Sequence, residues 1–171
     1  MRLLPLFALV MIVSGCARPA PPPPVKDPAT MYQSDAAQGE VRQLFTDFQS
    51  AVKKRDGDKL WDLIAERSQQ AADSKAGAIK EAFAGGDDKK KTEIEKEQDL
   101  SAAELKDLTG KRYLKSKEFA GKYQKVADGQ LLQIVAKGED AHVACKEADG
   151  AAMQFKLVQE KQRWKLVVDM P

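Results

Sequence analysis

Residues 131–169, LLQIVAKGEDAHVACKEADGAAMQFKLVQEKQRWKLVVD, alternate between apolar and polar side chains over most of their length. A period of two is typical of β-strands that bury one face, and short polar segments divide the stretch. The predicted strands are residues 131–137, 141–147, 153–160 and 163–169. Their connections, GED, ADGA and KQ, are too short for a crossover, so neighbouring strands are expected to run antiparallel. The sequence therefore predicts a meander of about four strands.

One face of this predicted sheet is apolar. Its members on the last three strands are Ala141, Val143 and Cys145, then Phe155 and Leu157, then Trp164, Leu166 and Val168. The only histidine, His142, alternates with them and is expected on the opposite face. Cys145 is expected to be an inert core thiol, because a buried cysteine behaves as a small apolar residue. Such a sheet needs other elements to cover its apolar face.

The residues before the sheet carry helical patterns. A first helix over about residues 35–54 is predicted by five apolar residues at helical spacing, Val41, Leu44, Phe45, Phe48 and Val52. Gly57 is expected to cap this helix and Asp58 to begin a short second one. The second helix contains Trp61 and is expected to end near Arg67.

A third helix is predicted to start at Ser68 as its N-cap and to run through Phe83. Its expected inner positions are Ala71, Ala72, Ile79 and Phe83. The helices and strands together predict an α+β fold, with N-terminal helices packed on one face of a curved antiparallel sheet.

The segment between the third helix and the sheet is highly charged. Residues 85–101 are expected to form a solvated helix with almost no apolar face. Ser101 and Glu104 form a capping box that starts a short helix, which Gly110 is expected to end. Residues 111–125 interleave aromatic side chains with lysines. We expect the rings to cover the core while the lysines stay in water, although an anionic headgroup, a glycan or an acidic protein is an alternative partner.

The bulk composition excludes several partners. With 28 basic and 26 acidic side chains, the formal net charge is +2, so no strong field favours nucleic acid. Two cysteines and one histidine are too few for a disulfide framework or a zinc site. No metal ion and no cofactor are expected.

The N-terminus resembles the export signal of bacterial lipoproteins. Arg2 precedes an apolar run, LLPLFALVMIV, that is too short to span a bilayer comfortably. The run leads into VSGC, which resembles the lipobox, where a branched aliphatic and two small residues precede an invariant cysteine. The resemblance implies that residues 1–15 are a signal peptide and that Cys16 is lipidated, with Ala17 favouring the outer membrane. The alternative is an ordinary signal peptide with an incidental cysteine.

Residues 16–34 are predicted to be a tether after the lipidated cysteine. Their proline run, APPPP at residues 20–24, cannot form a helix or a sheet ladder and favours polyproline II. Such a spacer can hold a domain roughly 40 Å above the lipid surface. A ligand for a proline-binding domain is the alternative. The predicted organisation is therefore a signal peptide, a tether and an α+β domain over residues 35–171.

Two stretches resemble the nuclear-transport-factor-2-like superfamily, LFTDFQSAVKKRDGDKLWDLI at residues 44–64 and GEDAHVACKEADGAAMQFKLVQEKQRWKL at residues 138–166. The matching positions include Phe48, Ala51, 56–58, Leu60 and Leu63 in the first, and Ala141, Val143, Gly150, Phe155, Trp164 and Leu166 in the second. The resemblance implies a cone-shaped α+β domain. Some members of that superfamily are isomerase-like or dehydratase-like enzymes with Asp, His or Tyr inside the cone, and many others only bind a ligand, a peptide or a partner.

Fold alone does not give function, which depends on the individual residues that could carry chemistry. The acid–base candidates are Asp47, Asp62, Tyr113, Tyr123 and His142. No acid–base pair emerges, because Asp47 and His142 are expected to face water, and no catalytic residue is assigned. The candidate lining of a ligand pocket is Phe48, Trp61, Tyr113 and Tyr123.

The leading hypothesis is a lipid-anchored, non-enzymatic domain on the periplasmic side of the cell envelope, which binds a small ligand or an envelope protein. Its membrane contact is the N-terminal lipid. One alternative is an isomerase-like or dehydratase-like enzyme with an acid–base pair buried in the cone. The other is a structural envelope protein that forms a homodimer through the outer face of its sheet, using Val135, Val158 and Val167.

Overall fold

The computed structural model describes residues 35–171. The predictions for the signal peptide, for Cys16 and for the proline-rich tether fall outside the described residues.

Within the described range, helices come first and strands last. The helices are α1 (Asp35–Lys54), α2 (Gly57–Leu63), α3 (Glu66–Gly85), α4 (Asp88–Gln98), α5 (Ala102–Lys106), α6 (Gly110–Tyr113) and α7 (Lys117–Ala127). The strands are β1 (Gln130–Lys137), β2 (Asp140–Lys146), β3 (Ala152–Glu160) and β4 (Arg163–Val167). The strands form one antiparallel sheet in the order β1-β2-β3-β4. The predicted α+β class and the predicted meander are confirmed.

The register of the sheet puts the predicted apolar positions on one buried face. Val143 lies opposite Phe155, and Leu157 lies opposite Leu166. All four are buried, as is Cys145, whereas His142 is exposed on the other face. The helices cover the buried face, so the period-two pattern identified the side of the sheet that faces the core.

The β4 edge of the sheet is covered by the connection between α2 and α3. Ile64 pairs with Leu166 in a parallel bridge, and the amide of Ala65 donates to the carbonyl of Leu166 at 2.7 Å. The buried hydroxyl of Ser68 donates to the carbonyl of Val168 and accepts from the amide of Val168, both at 2.9 Å. These hydrogen bonds give partners to backbone groups of Leu166 and Val168 that would otherwise be unpaired at the sheet edge.

Ser68 is therefore not the N-cap that we predicted. The cap position of α3 is Ala65, and the helix is already under way when it reaches Ser68. Because Ser68 is hydrogen-bonded to Val168, the residue that follows β4, its side of the helix faces inward, and Ala72, Ala76 and Phe83 follow it into the core. The predicted inner residue Ala71 is exposed for the same reason.

The predicted roles of two glycines and of Asp58 are also wrong. The N-cap of α2 is Asp56, whose side chain accepts from the amide of Lys59. Gly57 is the buried first residue of α2, where an added Cβ would lie 2.6 Å from the carbonyl oxygen of Lys111. Gly110 begins α6, and its added Cβ would lie 2.5 Å from Oδ1 of Asp73. Both glycines allow close contact between helices.

The charged segment forms α4, in which two residues one turn apart, Ile94 and Gln98, are buried and most of the others are exposed. Asp87 caps its start by accepting from the amide of Lys90 at 2.8 Å. It ends at Gln98 because Asp99 adopts a left-handed conformation with φ of 54°. The predicted capping box of Ser101 and Glu104 at the start of α5 is present.

Candidate functional site

Three of the four residues predicted to line a pocket pack against other rings in the core. The ring centroids of Phe48 and Tyr123 are 5.7 Å apart. The ring of Phe119 lies between the two tyrosines, with its centroid 5.0 Å from that of Tyr123 and 6.3 Å from that of Tyr113. The three predicted residues are at most 3% exposed. Trp61 is half-buried on α2. Phe48, Tyr113 and Tyr123 thus spend their ring faces and edges on contacts with other aromatic side chains.

Both buried tyrosines use their hydroxyl groups as structural anchors. The hydroxyl of Tyr123 donates to the carbonyl of Asp169 at 2.7 Å and accepts from its amide at 3.1 Å. The hydroxyl of Tyr113 donates to Oε2 of Glu118 at 3.4 Å. Burial raises the pKa of Tyr113 and of Tyr123 above the ordinary value, with the nearby Glu118 carboxylate adding to the effect at Tyr113. Both phenols therefore stay neutral at physiological pH.

The other acid–base candidates lie away from these tyrosines. Asp47 accepts from Gln43 at 2.9 Å and pairs with Lys59 at 3.4 Å. Asp62 and His142 are exposed. Burial raises the pKa of the Cys145 thiol, which favours its neutral form. Residues 35–171 contain no group of three or more His, Cys, Asp or Glu side chains arranged to hold a metal ion.

A polar cluster that the sequence analysis missed lies where α3, α4 and α7 meet. Its centre is Glu118, which lies in the first turn of α7, two residues after the N-cap Ser116. Oε1 of Glu118 accepts from the ammonium of Lys75 at 3.0 Å, and Oε2 accepts from Nε2 of Gln98 at 3.0 Å and from the Tyr113 hydroxyl. The Lys75 ammonium also donates to the carbonyl of Pro171 at 2.7 Å. Both oxygens of the carboxylate are thus occupied by donors from three other segments.

Gln98 is the residue of this cluster that is left incomplete. It is 6% exposed, and its Oε1 has no hydrogen-bond partner within the described part of the chain. The orientation of its amide follows from chemistry, because Glu118 only accepts and must face the amide NH2 group. A buried acceptor without a donor costs free energy comparable to a lost hydrogen bond, and most buried polar groups in folded proteins are satisfied.

Gln98 lies in the wall of an open cleft of about 330 Å³, which we call the α3–α4–α7 cleft. Ile79 and Ile94 form its apolar part, on α3 and α4 respectively. Lys90 lies at one end of the α4 wall, and Glu97 lies beside Gln98 at the other. The apolar lining comes from α3 and α4, and the other five lining residues are polar or charged: Lys75, Lys90, Glu97, Gln98 and Glu118.

The carboxylate of Glu118 is held in place by three protein donors, one on Oε1 and two on Oε2. Gln98 cannot exchange a proton at ordinary pH, but it can accept a hydrogen bond. The sequence held one signal of this site: Gln98 follows Ile94 by one turn on a helix that is otherwise almost entirely charged.

None of the helices within residues 35–171 combines the length and the apolar character that crossing a membrane requires. Comparison with protein-family models, with curated proteins and with solved structures finds no match to this chain.

Proposed function

We propose that this protein is a lipid-anchored extracytoplasmic domain, of the nuclear-transport-factor-2-like type, that binds a ligand or an envelope partner without catalysing a reaction. The binding site is the α3–α4–α7 cleft. This assignment moves the binding site from the interior, where Phe48, Tyr113 and Tyr123 pack against other rings, to the surface.

The observation that carries the binding half of the proposal is the unpaired Oε1 of Gln98. A partner with a hydrogen-bond donor would satisfy this buried acceptor after a side-chain movement that exposes Oε1 to the cleft, and it would also cover the apolar wall formed by Ile79 and Ile94. The anchoring half is supported by the VSGC sequence and by the proline-rich segment that follows it.

The enzymatic alternative requires an acid–base pair in the core. Apart from the tyrosines, the buried polar or charged side chains of residues 35–171 are Ser68, Gln98 and Ser116, none of which is an ordinary general acid or base without an activating partner. The remaining candidate pair is Tyr113 and Glu118, and there the tyrosine hydroxyl and the part-buried carboxylate are hydrogen-bonded to each other at 3.4 Å.

The outer face of the sheet, which the dimer alternative would use, carries both apolar and charged side chains. Val135, Val158 and Val167 are half-buried on the outer face of the sheet. Among them, Lys156 pairs with Asp140 at 3.0 Å. An obligate dimer interface is more apolar than this face, because charged residues are depleted from the centre of such interfaces.

The anchoring half is tested by replacing the cysteine. Cys16→Ala in the full-length chain should move the protein from the membrane fraction to the soluble fraction after export and cleavage. Cys145→Ala is the matched control, because it removes the other thiol and should leave the protein in the membrane fraction. If Cys16→Ala stays in the membrane fraction after its signal peptide has been cleaved, lipidation at this residue is not the anchor.

The binding half is tested with isoleucine methyl spectra of the full-length chain in detergent micelles. The probes are hexylamine, hexanoate and 6-aminohexanoate. We expect saturable shifts of the Ile79 and Ile94 methyl signals with at least one probe, and unchanged signals from Ile64 and Ile134, which lie outside the cleft. Ala78→Phe should abolish the shifts, because Ala78 is an exposed residue of the cleft wall. Ala84→Phe, exposed on the same helix but outside the wall, is the control. No saturable shift with any probe would refute the proposal.

A further inference from the structure

We infer that the ligand of the α3–α4–α7 cleft is a dipolar aliphatic molecule, with an ammonium group at the Gln98 end and an anionic group at the Lys90 end. This inference rests on the proposed function, and it names the chemical class that the same site would bind.

Gln98 and Glu97 determine that the ligand places a hydrogen-bond donor at their end of the cleft. Oε1 of Gln98 needs a hydrogen-bond donor, and Glu97 beside it forms no ion pair with any residue from 35 to 171. The Lys75 ammonium does not repel a cation strongly here, because Glu118 neutralises it at 3.0 Å. A donor that carries a positive charge therefore gains both a charge-assisted hydrogen bond and attraction to Glu97.

The anionic end is set by Lys90. Within the described residues its ammonium forms no ion pair, and it shares the cleft wall with Ile94 and Glu97. Residues 90, 94 and 97 lie on one face of α4, because side chains three and four residues apart on a helix are neighbours. A rise of 1.5 Å per residue separates positions 90 and 97 by about 10 Å along the helix axis.

The middle of the cleft is apolar. Ile94 lies between the two charged positions on α4, and Ile79 faces the cleft from α3. A methylene stem that spans the two charges would pack on these two side chains and bury them further. One end group alone would satisfy only one end of the cleft, so both charges and the stem are required for full complementarity.

Two sources share this chemistry. One is a free ω-amino acid, and the other is a C-terminal lysine of a peptide, whose side-chain ammonium and terminal carboxylate are joined by a similar stem. 6-Aminohexanoate represents the first source. Nα-acetyl-lysine represents the second, and its C-terminal amide, which lacks the anionic group, is its control.

The test compares apparent dissociation constants from the Ile79 and Ile94 methyl shifts of the full-length chain. 6-Aminohexanoate should bind about tenfold more tightly than hexanoate, hexylamine or 6-hydroxyhexanoate, since each of these lacks one charged interaction. If the source is a C-terminal lysine, Nα-acetyl-lysine should bind at least as tightly as 6-aminohexanoate and about tenfold more tightly than its amide. If the source is a free amino acid, 6-aminohexanoate should be the tighter of the two.

Two variants locate the two ends. Lys90→Ala should remove the preference for 6-aminohexanoate over hexylamine, and Glu97→Gln should reduce its preference over hexanoate. Lys89→Ala and Glu93→Ala are the matched controls, because both residues are exposed on α4 and outside the cleft wall. Equal binding of the single-ended and double-ended probes would overturn the ligand class but leave binding at the cleft intact. Absence of all shifts would instead refute the proposed function itself.

Discussion

Nε2 of Gln98 donates a hydrogen bond to Oε2 of Glu118 across 3.0 Å, and this contact turns Oε1 of Gln98 away from the carboxylate, without a partner in residues 35–171. The bond joins the last residue of α4 to the first turn of α7. One carboxylate thus holds a charged, mostly solvated helix against the domain and also fixes the polar end of the cleft.

Glu118→Ala should destabilise the fold by about 1–3 kcal/mol, because it leaves the partly buried donors of Lys75, Gln98 and Tyr113 without their acceptor. The free energy of unfolding in urea measures the effect. Glu81→Ala, exposed on α3, is the control and should change it by less than about 0.5 kcal/mol. Equal effects of the two substitutions would contradict the role assigned to Glu118.

Ser68→Ala should destabilise the protein by about 1–3 kcal/mol, since it removes both hydrogen bonds to Val168 and leaves those backbone groups buried. Ser74→Ala removes a hydroxyl that only bonds back to Gln70 on the exposed side of the same helix. Urea unfolding of the two variants should therefore differ clearly, and hydrogen exchange at the Val168 amide should accelerate only in Ser68→Ala. Unchanged exchange there would argue against the pair of hydrogen bonds between Ser68 and Val168.

Gly57→Ala should lower the stability of the fold, and Gly77→Ala should raise it. The new Cβ at position 57 would lie 2.6 Å from the carbonyl oxygen of Lys111, so α2 and α6 must separate, at a cost of about 1–3 kcal/mol. Nothing lies within 4 Å of the new Cβ at position 77 on α3, where alanine is the better helix former by about 1 kcal/mol. Thermal unfolding distinguishes them: a lower midpoint for Gly57→Ala and a higher one for Gly77→Ala are expected. A neutral Gly57→Ala would show that the helices do not pack this closely.

The buried tyrosines should make the protein less stable at alkaline pH. Burial raises the folded pKa of Tyr113 above the ordinary tyrosine value of about 10, so the unfolded chain loses this proton first as the pH rises. The free energy of unfolding should therefore be independent of this group below about pH 10 and should fall as the pH increases further. Tyr113→Phe removes this contribution, so its stability should fall less steeply between pH 9.5 and 11.5. An identical slope in the variant would contradict the burial of an ionisable hydroxyl at this position.

The alternation of side chains predicted the sheet correctly because strand pairing here is local and the two faces differ strongly. Val143, Phe155 and Leu166 could be placed in the core from their spacing alone. Spacing also identified Phe48 as an inward-facing residue, and the interleaving of rings with lysines predicted that Tyr123 covers the core. It could not show whether inward-facing rings line a cavity or fill it, because that depends on how α1 and α7 pack together.

The wrong predictions of helix ends concern residues that make contacts with distant segments instead of capping a helix. Serine and glycine are residue types typical of helix ends, yet Ser68 and Gly57 are each used for a contact with a segment distant in sequence. The cleft was missed for the same reason. Lys75, Gln98 and Glu118 are spread over three helices, and no periodicity relates them.

The most direct test of the central claim is a set of intermolecular nuclear Overhauser effects from the methylene protons of 6-aminohexanoate, at saturating concentration, to the full-length protein. Contacts to the methyl groups of Ile79 and Ile94 are predicted, with none to the rings of Phe48 or Tyr123. Contacts to those two rings, with none to the isoleucines, would place the ligand in the interior and contradict the account of a packed core with a binding cleft between α3, α4 and α7.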